Sequence, residues 1–388
     1  MKVAIVTTRH GAQDDRIYYK QALSLARRMD VTMIAPDDGV KLDWPTCVVY
    51  RPIPRRRSAL GRLWNLAEAT REVCREKPDF CHLHDLDLAL AIPFIRLFTR
   101  AKIIYDSHEV FTREDLILSG RLGPGVGSLI ARLVEEIERK LIMAGHYVVT
   151  AVDPDGCAFR GVKLPLSTIF NYPPLSVFQT NPHDVEIAAK KYRDFLPVIY
   201  QGSMSRDRGL FHMLEAVALV KAQEPRILLR LIGMQDAGLK QEVEQRISEL
   251  GIEANVELAG WLRHNEIALA MKTSLIGLIP LQPNEKYNRA LPIKLLEYMA
   301  CGLPVLAARL PLMARYVNDC GGGLLYDSTR PEELARCVFE LLADPERRRR
   351  MGENGLRAVR GRWNWEEMEK VLFGIYESLG ACFKEACS

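Results

Sequence analysis

Short β-branched apolar runs alternate along the chain with stretches whose apolar residues recur at helical spacing. "KVAIVTT" (2–8) is followed by a helical pattern over 17–28, "IYYKQALSLARR", and then by "VTMIAP" (31–36). A buried strand reads as a near-continuous apolar run, whereas an amphipathic helix repeats its apolar positions every three or four residues, so this opening predicts a βαβ unit. Strand-like runs recur at 79–84, 102–108, 147–152 and 167–172, with helical patterns at 60–76, 86–98 and 126–143. The alternation stops at "NYPPLSVFQTNPHD" (171–184) and restarts with strands at 197–203, 227–233, 256–261 and 274–281 and helices at 209–223, 236–250 and 264–272. Strands alternating with helices mean a parallel, doubly wound sheet. The expected fold class is therefore α/β, with two Rossmann-like domains, an N-terminal one over 1–175 and a C-terminal one over 185–364. The amphipathic pattern at 363–386 has no strand after it, and residues 365–388 are expected to pack back on the first domain. Ligands of open parallel sheets bind outside the carboxyl ends of the strands, so the two sheets are expected to face each other across a cleft.

Composition narrows the function classes. The chain has 388 residues, 48% hydrophobic and 26% charged, with a formal net charge of +4. That balance fits a globular protein and does not suggest nucleic-acid binding. No apolar run reaches the roughly 18 residues of a membrane span, and residues 1–8 lack the pattern of a secretory signal, so a cytoplasmic location is expected. Nine cysteines without a CxxC pair indicate neither a disulfide framework nor a zinc site. The arginines are unevenly spread: "RPIPRRRSALGRLW" sets Arg51, Arg55, Arg56, Arg57 and Arg62 beside Leu60, Leu63 and Trp64. Such a segment either holds a protein against an anionic membrane, here the inner face of the plasma membrane, or is a solvated loop and helix start. "ERRRRM" (346–351), which has no aromatic partners, reads as a solvated face.

The candidate chemistry lies at strand ends. After the first strand, "TTRHGAQDDRIYY" has one glycine where a dinucleotide fold carries three, which argues against NAD chemistry. Arg9, His10, Asp14, Asp15 and Arg16 line the acceptor side of the cleft or serve as ordinary turn and cap residues. Asp85 and Asp87 resemble a metal-binding pair, but two carboxylates at this spacing across a strand-to-helix junction serve as readily as caps, and no metal site is expected. His82 and His84 alternate on one strand, which is read as sending only one of them to a given face; His84 is the acceptor-side candidate. Asp106, His108 and Glu109 close another strand, with His108 placed for ligand contact. "YQGSMSRDRGL" supplies Gly202, Ser203, Arg206 and Arg208 at a strand end and helix start, where small residues admit a ligand to the backbone and arginine adds fixed charge.

These stretches carry a family resemblance. With "LIGMQD", "LAGWLRHNEI", "LPIKLLEYMACGLPVLAA", "CGGGLLYD" and "WNWEE", the second half resembles the retaining, GT-B-fold glycosyltransferases of family 4. The first half resembles them through "DDRIYYKQALSLA", "HLHDLD" and "IIYDSHEVF". The resemblance implies metal-independent transfer of a sugar from a UDP- or GDP-linked donor to a lipid-linked or saccharide hydroxyl, with the nucleotide sugar as co-substrate and no further cofactor. It implies that Glu297 holds the ribose hydroxyls, that Arg208 and Lys294 meet the diphosphate beside Leu291, Pro292 and Ile293, and that His108 lies near the donor sugar. The family's E-x7-E pair is incomplete, because its first position is Arg289; Ser203 likewise stands where many members have arginine. A sugar-nucleotide epimerase and a non-catalytic nucleotide-sugar-binding subunit are the alternative readings. Envelope polysaccharide or glycolipid synthesis is the expected setting.

Overall fold

The computed structural model describes residues 1–39, 48–56, 58–107, 124–151, 159 and 161–383. The chain divides into two compact units, Met1–Asn171 with Glu366–Ser388, and Tyr172–Trp365. The stretch 173–184, where the sequence alternation stops, belongs to the second unit, as does Tyr172. A four-residue 3₁₀ turn, Leu175–Phe178, and the helix starting at Pro182, capped by the Asn181 side chain, give this proline-rich segment local structure of its own.

Unit 1 holds a seven-stranded sheet in the order β3-β2-β1-β4-β5-β6-β7, all neighbours parallel. The strands are β1 (Lys2–Val6), β2 (Asp30–Pro36), β3 (Val48–Ile53), β4 (Phe80–His84), β5 (Lys102–Ser107), β6 (Tyr147–Thr150) and β7 (Leu166–Thr168). The edge strand β3 is absent from the sequence reading. Its "VVYRPI" carries Arg51 and Pro52, which interrupt the apolar run, and the missing proline N–H is accommodated most easily on an edge.

Side-chain alternation gives this sheet two different faces. Ala4, Val6, Cys81, Leu83, Ile103 and Tyr105 point to one core, shared with Ala69, Val73, Ile92, Ile95 and Ile142 from the helices over 59–76, 92–98 and 124–142. Phe80, His82, His84, Ile104 and Asp106 point to the other side. There the chain forms a π-helical stretch, Asp15–Ala22, that runs into a short α-helix, Leu23–Ala26. The C-terminal helix covers the same side: Tyr376 is fully buried, its ring 5.1 Å from that of Phe80 and its hydroxyl 2.9 Å from His82 Nδ1. The sequence pattern at 363–386 resolves into a helix over Trp365–Ser378.

Unit 2 holds a six-stranded parallel sheet, β10-β9-β8-β11-β12-β13. The strands are β8 (Leu196–Gln201), β9 (Ile227–Ile232), β10 (Val256–Ala259), β11 (Ile276–Ile279), β12 (Val305–Ala308) and β13 (Gly323–Tyr326). One core joins Val198, Tyr200, Leu229, Leu231, Ile276, Leu278 and Leu306 to the helices over 210–221 and 331–343. In each sheet the strand order reverses once, between β1 and β4 in unit 1 and between β8 and β11 in unit 2. A reversal point leaves the flanking loops to diverge, opening a crevice at the carboxyl ends. No helix among the described residues is long and apolar enough to cross a membrane.

Candidate functional site

The crevice of unit 2 is built from the loop after β8 and the helix that follows β11. Gly202, directly after β8, has φ of +110°, a conformation that L side chains rarely adopt. A Cβ there would lie 3.2 Å from Lys294 Nζ, so the glycine leaves room for the lysine to reach the strand end. Gly209 also has positive φ, +72°, and a Cβ would lie 2.1 Å from the Pro280 carbonyl oxygen. The loop carrying Arg206, Asp207 and Arg208 is thereby locked against the end of β11.

Lys294 lies in the first turn of the helix Ile293–Ala300, whose cap residue, Pro292, makes no side-chain capping bond. That leaves the first amide N–H groups of the helix for other acceptors. The Lys294 side chain is buried and its ammonium sits 3.8 Å from the centroid of the Tyr200 ring. Its Nζ has no hydrogen-bond partner among the described residues. Burial, reinforced by repulsion from Arg208 and opposed by attraction to Glu297, pushes its pKa down to about 7. A buried amine without an acceptor is costly.

Glu297, one turn further along, accepts a hydrogen bond from Gln201 Nε2. The amide of Gln201 donates to the Tyr298 hydroxyl at 3.0 Å, which ties the end of β8 to this helix. Arg208 is half-buried, beside Tyr200 and Tyr287. Tyr287 donates to Asp207 at 2.6 Å, and Tyr200 donates to the Ser203 carbonyl at 2.9 Å. Gly202, Arg208, Lys294 and Glu297 thus share one crevice, with Leu291, Pro292 and Ile293 half-buried at its edge. The contributions of Gln201, Tyr200 and Tyr287 were not anticipated, although the first two lie on the strand whose end was flagged.

Other expected donor residues lie elsewhere or act differently. Arg206 is exposed, stacks 4.8 Å from the Phe211 ring and pairs with Glu242 on a surface helix, so it does not face the crevice. Ser203 is exposed and contributes its carbonyl. Arg289 is an exposed residue ending a short helix over Glu285–Arg289. His108, Glu109 and Arg57 lie outside the described residues.

At the reversal point of unit 1, Asp85 gathers the loop after β1. It has φ of +89°, and its Oδ2 accepts from Thr7 Oγ1 at 2.7 Å, Thr8 N at 2.8 Å and Arg9 N at 3.1 Å. Its Oδ1 lies 2.7 Å from His10 Nδ1. Burial works against its ionisation, but these hydrogen bonds and the His10 charge outweigh it and hold the carboxyl below its usual value. Asp87 accepts from Thr8 Oγ1 at 2.8 Å. The two carboxylates therefore act as loop anchors. Arg9 is exposed and His10 half-buried.

Two acceptor-side expectations, Arg16 and His84, need correction, and Asp14 takes the cap role that the sequence left open. Asp14 caps the π-helical stretch, accepting from Arg16 N and Ile17 N, both at 2.9 Å. Arg16 is buried and grips Asp106 with two bonds of 3.0 Å while donating to the Ile169 carbonyl at 2.6 Å. His84 is fully buried and stacks on His82, centroids 4.6 Å apart, because residues two apart on a strand share a face. His82, His84 and Asp106 bring possible metal-ligand atoms within 4.8 Å of one another. Here the Arg16 guanidinium already fills the cationic place beside Asp106. Despite burial, which opposes ionisation, that guanidinium and the two histidines hold the Asp106 carboxyl well below the usual range.

The arginine segment is largely self-neutralised. Arg51 pairs with Glu76, Arg55 with Asp38 and Arg56 with Glu68, at 2.8, 3.0 and 3.1 Å. Leu60, Leu63 and Trp64 are exposed on the helix that follows.

Comparison with known proteins gives matches over both units. Residues 187–358 match the model described as glycosyl transferases group 1, and residues 17–158 match a glycosyl transferase 4-like domain. A D-inositol 3-phosphate glycosyltransferase of Segniliparus rotundus is 30% identical over 183 residues, 47% of this chain and 39% of that protein. The curated relatives are matched over about half their length. Among solved structures, sucrose-phosphate synthase from Thermosynechococcus elongatus superposes with a TM-score of 0.75 at 19% identity, covering 97% of this chain and 98% of that one. Anabaena HepE, solved in complex with UDP, gives 0.73 at 15% identity, covering 97% and 100%.

Proposed function

The chain belongs to the group 1 glycosyltransferases, with a glycosyl transferase 4-like domain in its first unit and the GT-B fold, and from that premise we propose that it moves a sugar from a nucleoside diphosphate donor to an acceptor hydroxyl with retained configuration. The observation that carries this reading is the buried Lys294 ammonium without an acceptor, set beside Arg208 and an uncapped helix start. A departing diphosphate supplies what that group lacks. As the bond to the sugar breaks, negative charge builds on the phosphate oxygens, and preorganised cations stabilise it without reorganisation at that moment. Gly202 lets the diphosphate approach the backbone. Glu297, oriented by Gln201, accepts from the vicinal ribose hydroxyls. The leaving phosphate takes the acceptor proton. The donor is UDP- or GDP-linked and the acceptor a saccharide or lipid-linked hydroxyl, in envelope polysaccharide or glycolipid synthesis.

Arg208→Ala tests the reading directly: transfer falls by more than about tenfold, or roughly 1.4 kcal/mol in the barrier, with an unchanged melting temperature. Near-normal turnover would remove Arg208 from the phosphate site. Donor turned over to an isomerised sugar with no acceptor present would instead select an epimerase.

A further inference from the structure

Unit 1 carries a second apolar surface that its core does not use. The helices over Ala59–Glu76, Ile92–Phe98 and Pro124–Ile142 pack side by side on one face of the sheet, with Ala69, Val73, Ile92, Ile95, Ala131 and Ile142 turned inward. Their outward sides are apolar too. Trp64, Phe94, Leu97, Phe98, Leu129 and Leu133 are each between 58 and 75% exposed. Phe94, Leu97 and Phe98 follow helical i, i+3, i+4 spacing, and Leu129 and Leu133 are one turn apart, so these form outward stripes. A monomer rarely exposes such a surface unless something covers it.

The charges around these stripes say what that is. Arg62, Arg100 and Arg132 are exposed, interleaved with the aromatic and leucine residues, and have no ion-pair partner among the described residues. Arg96 is exposed beside Leu97 and donates to the Ala144 carbonyl at 2.7 Å. Glu136, the one fully exposed acid among the described residues of the three helices, is already paired with Arg139 at 3.1 Å. A two-fold contact between copies would set this arginine-bearing surface against itself, with the half-buried Glu135 the one unpaired acid that the described residues of these helices bring to the surface to offset it. Anionic headgroups complement it, and the acyl boundary accepts the aromatic and leucine side chains. We propose that unit 1 docks on an anionic lipid bilayer through the outward face of these three helices, without spanning it. The contact is thus placed on the helices, and not on the paired arginines of 51–56. It does not rest on the donor chemistry, so either reading can fail alone.

Flotation of the full chain with vesicles tests this. Binding is expected to vesicles containing about a third phosphatidylglycerol, weakening as salt is raised, and not to phosphatidylcholine alone. The double variant Leu97→Ser, Phe98→Ser should bind at least about tenfold more weakly with an unchanged melting temperature. Arg100→Glu should weaken binding while leaving the apolar surface intact. Absence of binding to anionic vesicles, or full binding by the double variant, would overturn the proposal. Equal binding to uncharged vesicles would overturn its headgroup part. Self-association in sedimentation velocity that the double variant abolishes would give the face to a second copy.

Discussion

The two sheets are wound alike, yet the crevices at their reversal points are opposite in electrostatic character. In unit 1 the two buried carboxylates at strand ends have mates: Asp85 is held by Thr7, Thr8, Arg9 and His10, and Asp106 by Arg16 and Gln21. In unit 2 the corresponding position holds Lys294, buried beside Arg208 with no hydrogen-bond acceptor. One crevice spends its charge on holding itself together, and the other leaves charge unsatisfied. The same architecture thus carries a self-satisfied pair of carboxylates in one unit and a buried lysine without an acceptor in the other, and the difference lies in a handful of side chains at strand ends.

The largest effect that would break this contrast is expected from Arg16→Met. It leaves the Asp106 carboxylate buried without its cation, which costs about 3–5 kcal/mol, measurable by urea unfolding; a loss under about 1 kcal/mol would show that Asp106 is not held by charge. Lys294→Met is predicted to behave in the opposite way. Stability at neutral pH holds or rises, because an unpaired buried amine is removed, while transfer falls about a hundredfold; destabilisation comparable to that of Arg16→Met would erase the distinction between the units. Glu297→Ala should weaken nucleoside diphosphate affinity about tenfold by calorimetry, and unchanged affinity would contradict the ribose contact.

The smallest effect is a proton. Lys294 has a folded pKa of about 7, depressed from 10.5, so the unfolded chain binds the extra proton between those values. Stability should therefore rise with pH across that window, and Lys294→Met should flatten the rise. A diphosphate entering at pH 8 recharges the amine, so binding should take up as much as about one proton, seen as a dependence of the calorimetric heat on buffer ionisation. Identical heats in buffers of different ionisation enthalpy would argue against a diphosphate contact at Lys294.

Much of this was legible in the chain. Alternating strand and helix patterns identified both parallel sheets, and Gly202, Arg208 and Lys294, picked out from the chain, do lie together. Two of the edge strands were not legible: β3 looks polar because its edge tolerates Arg51 and Pro52, and β13 is four residues that begin on the third of three glycines. Unit 1 was harder to read because its charges are long-range partners. Arg16 meets Asp106 across 90 residues of sequence, and local pattern cannot distinguish a buried guanidinium from one facing solvent. Asp85 depends on a positive φ that only glycine would have advertised. The histidines were misjudged on parity alone, since positions 82 and 84 necessarily share a side of β4.

The return of residues 366–378 to the first unit also sets a timetable for synthesis. Leu372, Phe373, Ile375 and Tyr376 are buried, each contributing about 1.5–3 kcal/mol on burial, and none of them exists while the ribosome is still making the second unit. The half of the protein that is made first is therefore finished last. Until that helix emerges, the nascent chain carries an uncovered flank around Phe80 and His82, and a truncation before residue 366 would leave that flank for chaperones or proteases to find.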